Sequence, residues 1–261
     1  MSAEAPALRI IFYFCGKYKI MGRAFEYRKA TKFARWNKMA KEFTKAGRQI
    51  TIAVKEGGPD PDANSNLRRA IQNAKSVQMP KDRIEAAIKK ASDRDTSNFD
   101  EITYEGMAPH GVAIYIETAT DNPTRTVANV RMHFRKGNGS LGTTGMHDFL
   151  FDRKGVFYVK KEAVDDIETL ELELIDYYLT RIEEEKIEEE EYWTFYCEFT
   201  SFGNLQEGLE KKNLEVEKSE LIRIPKFFKE GLTDDQVDEV LDLIDKLEED
   251  DDVTNVFHNL E

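Results

Sequence analysis

The sequence predicts an α+β protein in which a basic helical domain comes before two small sheet-containing units. Residues 28–91 carry apolar side chains at helical spacing in three successive segments. From residue 99 onward, short segments alternate apolar and polar residues as strands do, and amphipathic helices lie between them. Helices that cover one face of a largely antiparallel sheet are the α+β pattern, and the chain is long enough for two such units.

The net charge of −12 conceals two regions of opposite sign. Residues 21–95 hold 18 Lys and Arg against nine Asp and Glu, a net charge of +9. Residues 96–261 hold 17 basic and 40 acidic residues, a net charge of −23, and residues 1–20 add +2. An asymmetry of this size concerns partners rather than fold, and it predicts that a polyanion approaches from the helical end.

The composition is that of a globular protein with a well-solvated exterior, since 40% of the residues are hydrophobic and 34% are charged. The two cysteines, Cys15 and Cys197, are too few for a disulfide framework, and no CxxC motif occurs. The longest apolar run, residues 10–15, is much shorter than the roughly 18 residues of a transmembrane helix. These observations favour a cytoplasmic protein that does not enter a membrane.

Residues 1–20 are interpreted as an extension in front of a natural start at Met21. A secretory signal opens with positive charge and continues with a longer apolar stretch, whereas this segment opens with Glu4. The sequence therefore does not favour a signal peptide.

The helical domain is predicted to contain three amphipathic helices. The first spans residues 28–56 and ends at Gly57-Gly58. On a helical wheel, its aromatic residues gather on one side, and most of its lysines and arginines lie on the other. A second helix begins near Asn64, and a third follows Pro80, which suits a first helical turn.

The rest of the chain is interpreted as strands and helices in turn. Strands are predicted in FDEITYEG and GVAIYIETATD, and Asn122-Pro123 then begins a helix that runs through Phe134. The segment MHDFLFDRKGVFYVK is interpreted as two strands around a tight turn, and the acidic run at 183–192 as a solvated surface or loop. Further helices are predicted within 167–177, 205–209 and 237–247, and further strands in EYWTFYCEF, EKSELIRIP and VTNVFHNL.

Lysines and arginines of the helical domain are the candidate nucleic-acid contacts. Such side chains neutralise phosphates and release counterions, which gives an affinity that depends on salt. The alternative is an ordinary solvated helix face, and nothing in the spacing identifies a helix-turn-helix or a base-reading residue. The candidates are Arg23, Arg28, Lys29, Lys32, Arg35, Lys38, Lys41, Lys45, Arg48, Lys55, Arg68, Arg69 and Lys81.

Three further features are possible contacts. Met79 and Pro80, in the segment MPKD, form either a contact loop or a turn between helices. The glycine-rich KGNGSLGTTG lacks both the Gly-Lys-Ser/Thr ending and the strand-to-helix order of a phosphate loop, so a turn is favoured. A second basic patch, or else ordinary surface charge on a helix, is formed by Arg125, Arg131, Arg135 and Lys136.

The sequence offers no catalytic constellation. None of the four histidines lies in HExxH or a comparable motif, so no metal is expected. No G-x-S-x-G elbow occurs, and Cys197 in an apolar strand is more typical of a core residue than of a nucleophile. We therefore expect a protein that is not an enzyme and has no cofactor and no small-molecule substrate.

Three motifs carry a resemblance to a known family. They are GGPDPDAN, MPKDRIEAAIKKA and DNPTRTVANVR. Together with LIRIPK and VLDLIDKLEEDDDVTNVFHNL, they resemble the YebC/PmpR family, and the likeness runs from Met21 to the last residue. Many members open with a Gly-His-Ser-Lys-Trp type of sequence where this chain has GRAFEY, so no role is carried over to those first residues.

The resemblance implies a fold with a basic three-helix domain and two α+β domains, one inserted in the other. This maps onto residues 21–96, onto 97–148 with 223–261, and onto 149–222 for the inserted domain. Members are described as transcriptional regulators, and some as factors that act on translation at the ribosome. The implied function is a regulator of gene expression that binds DNA, or alternatively one that binds ribosomal RNA.

A second alternative comes from a different class of function. It is a protein-interaction module in which the acidic sheet domains provide the binding surface. In all three cases we expect a monomer.

Overall fold

The computed structural model describes residues 39–93, 99–187 and 190–261, with the side chains of the first helix described from Glu42 onward. Three helices followed by two four-stranded antiparallel sheets confirm the predicted fold class. In chain order the helices and strands are α1 (Met39–Gly57), α2 (Ser65–Ser76), α3 (Lys81–Ser92), β1 (Asp100–Met107), β2 (Ala113–Thr120), α4 (Pro123–Lys136), β3 (Ser140–Leu141), β4 (Phe151–Lys160), α5 (Ile167–Leu174), β5 (Leu179–Ile187), β6 (Glu190–Glu198), α6 (Phe202–Lys211), β7 (Val216–Pro225), α7 (Asp234–Glu248) and β8 (Val253–His258).

The helical domain closes around a small core that α1, α2 and α3 share. Ile50, Leu67 and Ile84, one from each helix, are buried in it. The apolar stripe predicted for each helix is therefore its buried side. Residues 28–38, the beginning of the predicted first helix, lie outside the described residues.

The motif GGPDPDAN joins α1 to α2. Gly58 takes a φ of 87°, which favours glycine, and its N–H donates to the carbonyl of Val54 at 2.9 Å. The buried side chain of Asn64 accepts a hydrogen bond from the N–H of Leu67 at 3.0 Å and caps α2. Its amide nitrogen also donates to the carbonyls of Ala53 and Gly58, at 2.7 and 2.9 Å. The motif thus has a structural role that needs no ligand.

The first sheet combines strands from distant parts of the chain, in the order β3-β1-β2-β8. The chain leaves this sheet after β3, builds the whole second sheet, and returns through α7 to β8. α4 and α7 cover one face of the first sheet, where Phe134 and Ile244 pack with Ile114 and Ile116 of β2. The unit that carries the second sheet is therefore inserted into the first sheet domain, as the resemblance implied.

The second sheet has the order β5-β6-β4-β7, and α5 and α6 cover one of its faces. Phe157 of β4 and Phe195 of β6 are fully buried there with Leu174 and Leu209 of the two helices. We call the unit formed by β4 to β7 with α5 and α6 the inserted domain. Helices on one face of each antiparallel sheet are the α+β arrangement.

One strand of the inserted domain corrects the sequence interpretation. The segment predicted as two strands around a turn contains a single strand, β4, which pairs with β6 on one side and β7 on the other. Gly155 lies buried in the middle of this strand. A Cβ atom at Gly155 would lie 2.6 Å from the Phe202 ring and 2.8 Å from Cys197 Sγ. The glycine therefore allows α6 to pack closely against the strand and does not mark a turn.

The acidic run at 183–192 is also ordered where it is described. β5 and β6 pair as antiparallel neighbours, with Ile187 opposite Glu190. Lysines balance part of the negative charge, since Lys160 lies 3.0 Å from Glu190 and Lys161 pairs with Glu184. In the described ranges the run thus lies in two paired strands, of which β5 is the sheet edge, and its glutamates are partly or fully exposed. This favours the surface interpretation over the loop.

Candidate nucleic-acid interface

The N-terminal part of the predicted interface lies outside the residues that the structure describes. The backbone of Lys41 is described, but its side chain is not. Six further predicted contacts lie outside the described residues: Arg23, Arg28, Lys29, Lys32, Arg35 and Lys38.

Arg48 of α1 connects the helical domain to the first sheet domain. Its Nη1 donates to the carbonyl oxygens of Ala119 and Asp251, both at 2.7 Å, and lies 3.2 Å from Asp252 Oδ1. The side chain is only 12% exposed, and its guanidinium lies over the ring of Phe99. The predicted phosphate contact is therefore corrected: Arg48 holds two domains together.

Asp252 is the centre of this contact. Its Oδ2 accepts hydrogen bonds from Arg125 Nη2 and from Thr126 Oγ1, both at 2.8 Å. Arg125, exposed on its other side, also reaches Asp121 at 2.8 Å. We call the group of Arg48, Arg125, Thr126 and Asp252 the aspartate lock, because one buried carboxylate joins α1 to α4.

The aspartate lock shifts the acidity of its carboxyl group. Burial alone would raise the pKa of Asp252, but hydrogen bonds from Arg125 and Thr126 and the charges of Arg125 and Arg48 act in the opposite direction. The net result is a pKa of Asp252 below its ordinary value. The carboxylate is therefore charged at neutral pH, and both arginines retain their partner.

Two predicted lysines of α1 also bind within the protein. Lys45 Nζ donates to the carbonyl of Glu248 at the end of α7, at 3.4 Å. Lys55 Nζ donates to the carbonyl of Asp93, at the end of α3, at the same distance. The first contact adds to the docking of α1 on the first sheet domain, and the second stays within the helical domain.

Two predicted arginines of α2 face the inserted domain. Arg68 Nε lies 3.6 Å from Glu210 Oε1, and the Arg69 guanidinium lies over the ring of Phe202, 5.4 Å from its centre. Burial lowers the pKa of Arg69, partly offset by the charge of Glu101. Arg68 is also held by its own domain, since its Nη1 donates to the carbonyls of Pro61 and Asp62, both at 2.9 Å. The phosphate contacts expected of these two arginines stay predictions.

The same helix binds the edge of the second sheet with neutral side chains. Asn73 Nδ2 donates to the carbonyl of Ser219 at 2.7 Å, and Asn73 Oδ1 accepts from the Ser219 N–H at 3.1 Å. Gln72 Nε2 donates to the carbonyl of Val216. An amide side chain thus pairs with β7 much as a further strand would, and it covers an edge that would otherwise be open.

The two residues of the predicted contact loop, Met79 and Pro80, differ in exposure. Gln78 takes a φ of 62°, and the N–H of Met79 donates to the carbonyl of Ala74 at 2.9 Å. This turn directs the Met79 side chain into the core of the helical domain, where it is 8% exposed. The predicted role of Met79 as a contact is corrected by this burial, whereas Pro80 is exposed.

Among the described residues of the helical domain, the exposed bases lie mainly on α3. Lys81 is 86% exposed and pairs with Glu85 of its own helix, at 3.6 Å. Arg83 and Lys89 of α3 and Lys75 of α2 are also exposed, and they are not among the contacts predicted from the sequence. The sequence did contain a signal for the bases of α3. Ile84, Ala87 and Ile88 recur at helical spacing and mark the buried side of the helix, so the bases between them belong to its outer side.

The second predicted patch lies along α4. Arg125 at its start is half-exposed, but its charge is paired with Asp252 in the aspartate lock, which sets it apart from the other three residues of the predicted patch. Arg131, Arg135 and Lys136, further along the helix, are exposed. None of these three lies at ion-pair distance from a carboxylate in the described parts of the chain.

No site for metal chemistry is formed by the described residues. No three His, Cys, Asp or Glu side chains among them are placed to hold a metal ion. Burial raises the pKa of the Cys197 thiol to about 12, so it stays protonated at neutral pH. In the same described ranges, no helix is long and apolar enough to cross a membrane.

Comparisons with known proteins agree with this architecture. A model of the TACO1/YebC N-terminal domain matches residues 23–94, and a model of the second and third domains of TACO1/YebC matches residues 99–260. A crystal structure of a conserved hypothetical protein, Aq1575 from Aquifex aeolicus, is similar with a TM-score of 0.74 and 35% identity. The similarity covers 85% of this chain and 90% of that one.

Curated relatives share more than half of their residues with this chain. A "probable transcriptional regulatory protein" of Flavobacterium johnsoniae is 54% identical over 240 residues, which are 92% of this chain and 99% of the relative. Relatives with the same description from Campylobacter fetus and Porphyromonas gingivalis are 53% and 51% identical over 92% of this chain, and over 100% and 97% of their own. The chain belongs to the TACO1/YebC family of proteins.

Proposed function

We propose that the protein is a non-enzymatic regulator of gene expression that binds DNA through the outer side of its helical domain. The description of its relatives as transcriptional regulatory proteins supports the regulatory role. The acidic sheet domains would repel a polyanion, whereas residues 21–95 carry a net charge of +9. DNA therefore approaches the helical domain from the side that faces away from the sheets.

The observation that carries the proposal is that the three described helices differ in what their polar side chains contact. α1 uses Arg48 and α2 uses Asn73 to hold the sheet domains. α3 packs against α1 and α2 and keeps Lys81, Arg83 and Lys89 exposed. These bases, together with the predicted ones at residues 23–41, form the proposed surface.

This surface contacts phosphates and does not read bases. Lysine and arginine on an outer helix face neutralise phosphate charge whatever the sequence. The polar face of α3 also carries Asp82 and Glu85, and it shows no set of side chains arranged for base edges. Sequence preference, if a target has one, must come from elsewhere in the protein or from a partner.

A binding assay on the full chain tests the proposal. The variant Lys75→Ala/Lys81→Ala/Arg83→Ala/Lys89→Ala should bind a labelled DNA duplex more weakly. The slope of log affinity against log salt should fall by about 0.9 for each phosphate that the protein no longer neutralises. A matched control, Lys154→Ala/Lys211→Ala/Lys212→Ala/Lys218→Ala, removes the same charge from the inserted domain. Equal affinities of the two variants for DNA would refute the proposal.

The alternative of an RNA partner uses the same surface. A contact to phosphates suits ribosomal RNA as well as DNA, because both present a regular array of negative charge. Crosslinking the protein in cells and sequencing the attached nucleic acid separates the two. Promoter DNA supports the proposal, and ribosomal RNA supports action on translation.

A protein-interaction module has one specific observation in its favour. Leu172, Ile175 and Tyr178 of the inserted domain are 69%, 55% and 59% exposed, at helical spacing from α5 onward. The acidic residues Glu173 and Asp176 lie between them in the chain, so a basic protein with apolar anchors would fit. Mass spectrometry of crosslinked protein neighbours, compared with a Leu172→Ser/Ile175→Ser variant, tests this candidate.

A further inference from the structure

One segment of the acidic part of the chain contains no acid at all. Residues 122–147 have four Lys and Arg and no Asp or Glu, whereas residues 96–261 as a whole carry a net charge of −23. The segment comprises α4, β3 and the turns that follow. Such an exception within an acidic region indicates a surface whose charge serves a ligand.

The basic side of this segment faces solvent. α4 buries Thr126, Val130 and Phe134 against the first sheet. The opposite side carries Arg131, Met132, Arg135 and Lys136, all of them exposed. This is the arrangement of a surface helix whose outer face is available to a partner.

The charges on this face are not used within the described structure. Many bases of the inserted domain lie beside a carboxylate, such as Lys211 at 2.7 Å from Glu207. α4 packs beside the acidic α7, so the bases of α4 could have served to balance that helix. However, within the described ranges no ion pair joins Arg131, Arg135 or Lys136 to any carboxylate. Their charge remains available to an external anion.

The loop that follows α4 is held in a fixed shape. The buried carboxylate of Glu105 accepts hydrogen bonds from the backbone N–H groups of Gly145, at 2.6 Å, and His147. Thr143 and Thr144 lie just before this anchor and are exposed. The loop therefore presents two hydroxyl groups at a defined position beyond the last turn of α4.

The position of α4 relative to the helical domain is fixed by the aspartate lock. Arg48 of α1 and Arg125 of the first turn of α4 lie 3.2 and 3.0 Å from the same oxygen, Asp252 Oδ1. α4 thus starts at the helical domain and is 14 residues long. At 1.5 Å per residue this is about 20 Å, which corresponds to about six nucleotides of one strand at 3.4 Å each.

From these observations we propose that the outer face of α4 and the loop after it form a second nucleic-acid contact. Arg131, Arg135 and Lys136 bind the sugar–phosphate backbone, and the Thr143 and Thr144 hydroxyls extend the contact beyond the helix. This inference rests on the proposed function, and it makes binding bipartite: one polyanion lies across the helical domain and along α4. The shared chemistry is a row of phosphates, from DNA or from RNA.

The variant Arg131→Ala/Arg135→Ala/Lys136→Ala of the full chain tests the inference. Alanine favours the helix, and the three side chains are exposed, so the fold should persist, as circular dichroism and the melting temperature can verify. The probes are a labelled DNA duplex and a labelled RNA hairpin, each titrated at several salt concentrations. The slope of log affinity against log salt should fall by about 2 to 3 for the preferred probe, from about 0.7 to 0.9 for each phosphate neutralised.

A matched variant, Lys211→Ala/Lys212→Ala/Lys218→Ala, removes the same charge from the inserted domain and controls for long-range repulsion. Affinity should fall at least about tenfold further in the α4 variant than in this control. Equal affinity in the two variants overturns the inference, and so does a loss of stability in the α4 variant without a loss of binding.

The helical-domain variant described above separates the two proposals. If it loses affinity and the α4 variant does not, the inference fails and the proposed function stands. If the unmodified protein binds neither probe, both fail. A fall in the salt slope with duplex DNA identifies DNA as the source of the phosphates, and a fall with the hairpin alone identifies RNA.

Discussion

The helical domain is held by two junctions of opposite chemical character. Toward the first sheet domain the junction is ionic, with Arg48 and Arg125 on the carboxylate of Asp252. Toward the inserted domain, the hydrogen bonds of Asn73 and Gln72 to the backbone of β7 are neutral. One ion pair, Arg68 with Glu210 at 3.6 Å, accompanies these hydrogen bonds, but it is exposed and adds little. Basic residues of this domain thus serve architecture as well as ligands, and the junction built on Asp252 should respond to pH much more than the one built on Asn73.

Removal of the shared carboxylate should have the largest effect. Asp252→Ala leaves the largely buried Arg48 without its carboxylate partner and takes the main anchor from Arg125. Loss of one member of a buried pair should lower the free energy of unfolding by about 3 kcal/mol. Urea denaturation followed by circular dichroism measures it.

The neighbouring residue provides a control for this experiment. Asp251 is exposed and contributes only its carbonyl oxygen to Arg48, so Asp251→Ala should change the free energy of unfolding by no more than about 0.5 kcal/mol. Similar losses in the Asp251 and Asp252 variants would show that the aspartate lock does not hold the ionic junction.

Acid should weaken the same junction in the unmodified protein. The pKa of Asp252 lies below its ordinary value of 3.8, so ionisation of this group contributes stability that is fully present above that value. The contribution is lost as pH falls through the lower, folded-state pKa. Urea midpoints should therefore show no effect of Asp252 between neutral pH and about pH 4, and a loss below it.

The variant Asp252→Asn separates this effect from the general acid sensitivity of a protein rich in carboxylates. Its stability should be lower than that of the unmodified protein at pH 6, and the difference should narrow toward pH 3. A constant difference across the range would assign the acid response to other groups.

Loss of the neutral contact to β7 should lower the free energy of unfolding least. Asn73→Ala removes two hydrogen bonds to Ser219 at a sheet edge, and each is worth about 0.5 to 1.5 kcal/mol, so the expected loss in unfolding free energy is about 1 to 2 kcal/mol. The loss should be the same at pH 6 and pH 3, because no charge is involved. Lys75→Ala, two residues along the same helix and exposed, serves as the control.

Most of the fold could be predicted from the sequence because its signals are local. The glycine pair after α1, the Asn122-Pro123 start of α4 and the alternation in β2 depend on neighbours in the chain. Gly155 led to the wrong prediction of a turn. A glycine stands there because the ring of Phe202 packs against it, and Phe202 lies 47 positions later in the chain, where no local pattern can reveal the contact.

The candidate site was harder to predict for the same physical reason. A helical wheel shows that Arg48 lies away from the aromatic side of α1, but Asp252, its partner, is 204 residues away. Met79 follows a tight turn, and only the positive φ of Gln78 directs it inward. Charge in the sequence indicated which domain should bind, whereas the structure separates bases that join domains from bases that stay exposed.

The aspartate lock also has a consequence for the order in which the molecule is made. A ribosome synthesises Arg48 early and Asp252 about two hundred residues later, and β8, which completes the first sheet, follows Asp252 directly. Until Asp252 is made, the helical domain has a core of its own, and it can reach β7 through Asn73, but it lacks the ionic junction. The docking of the helical domain on the first sheet domain therefore has to wait for Asp252, whereas its docking on β7 does not.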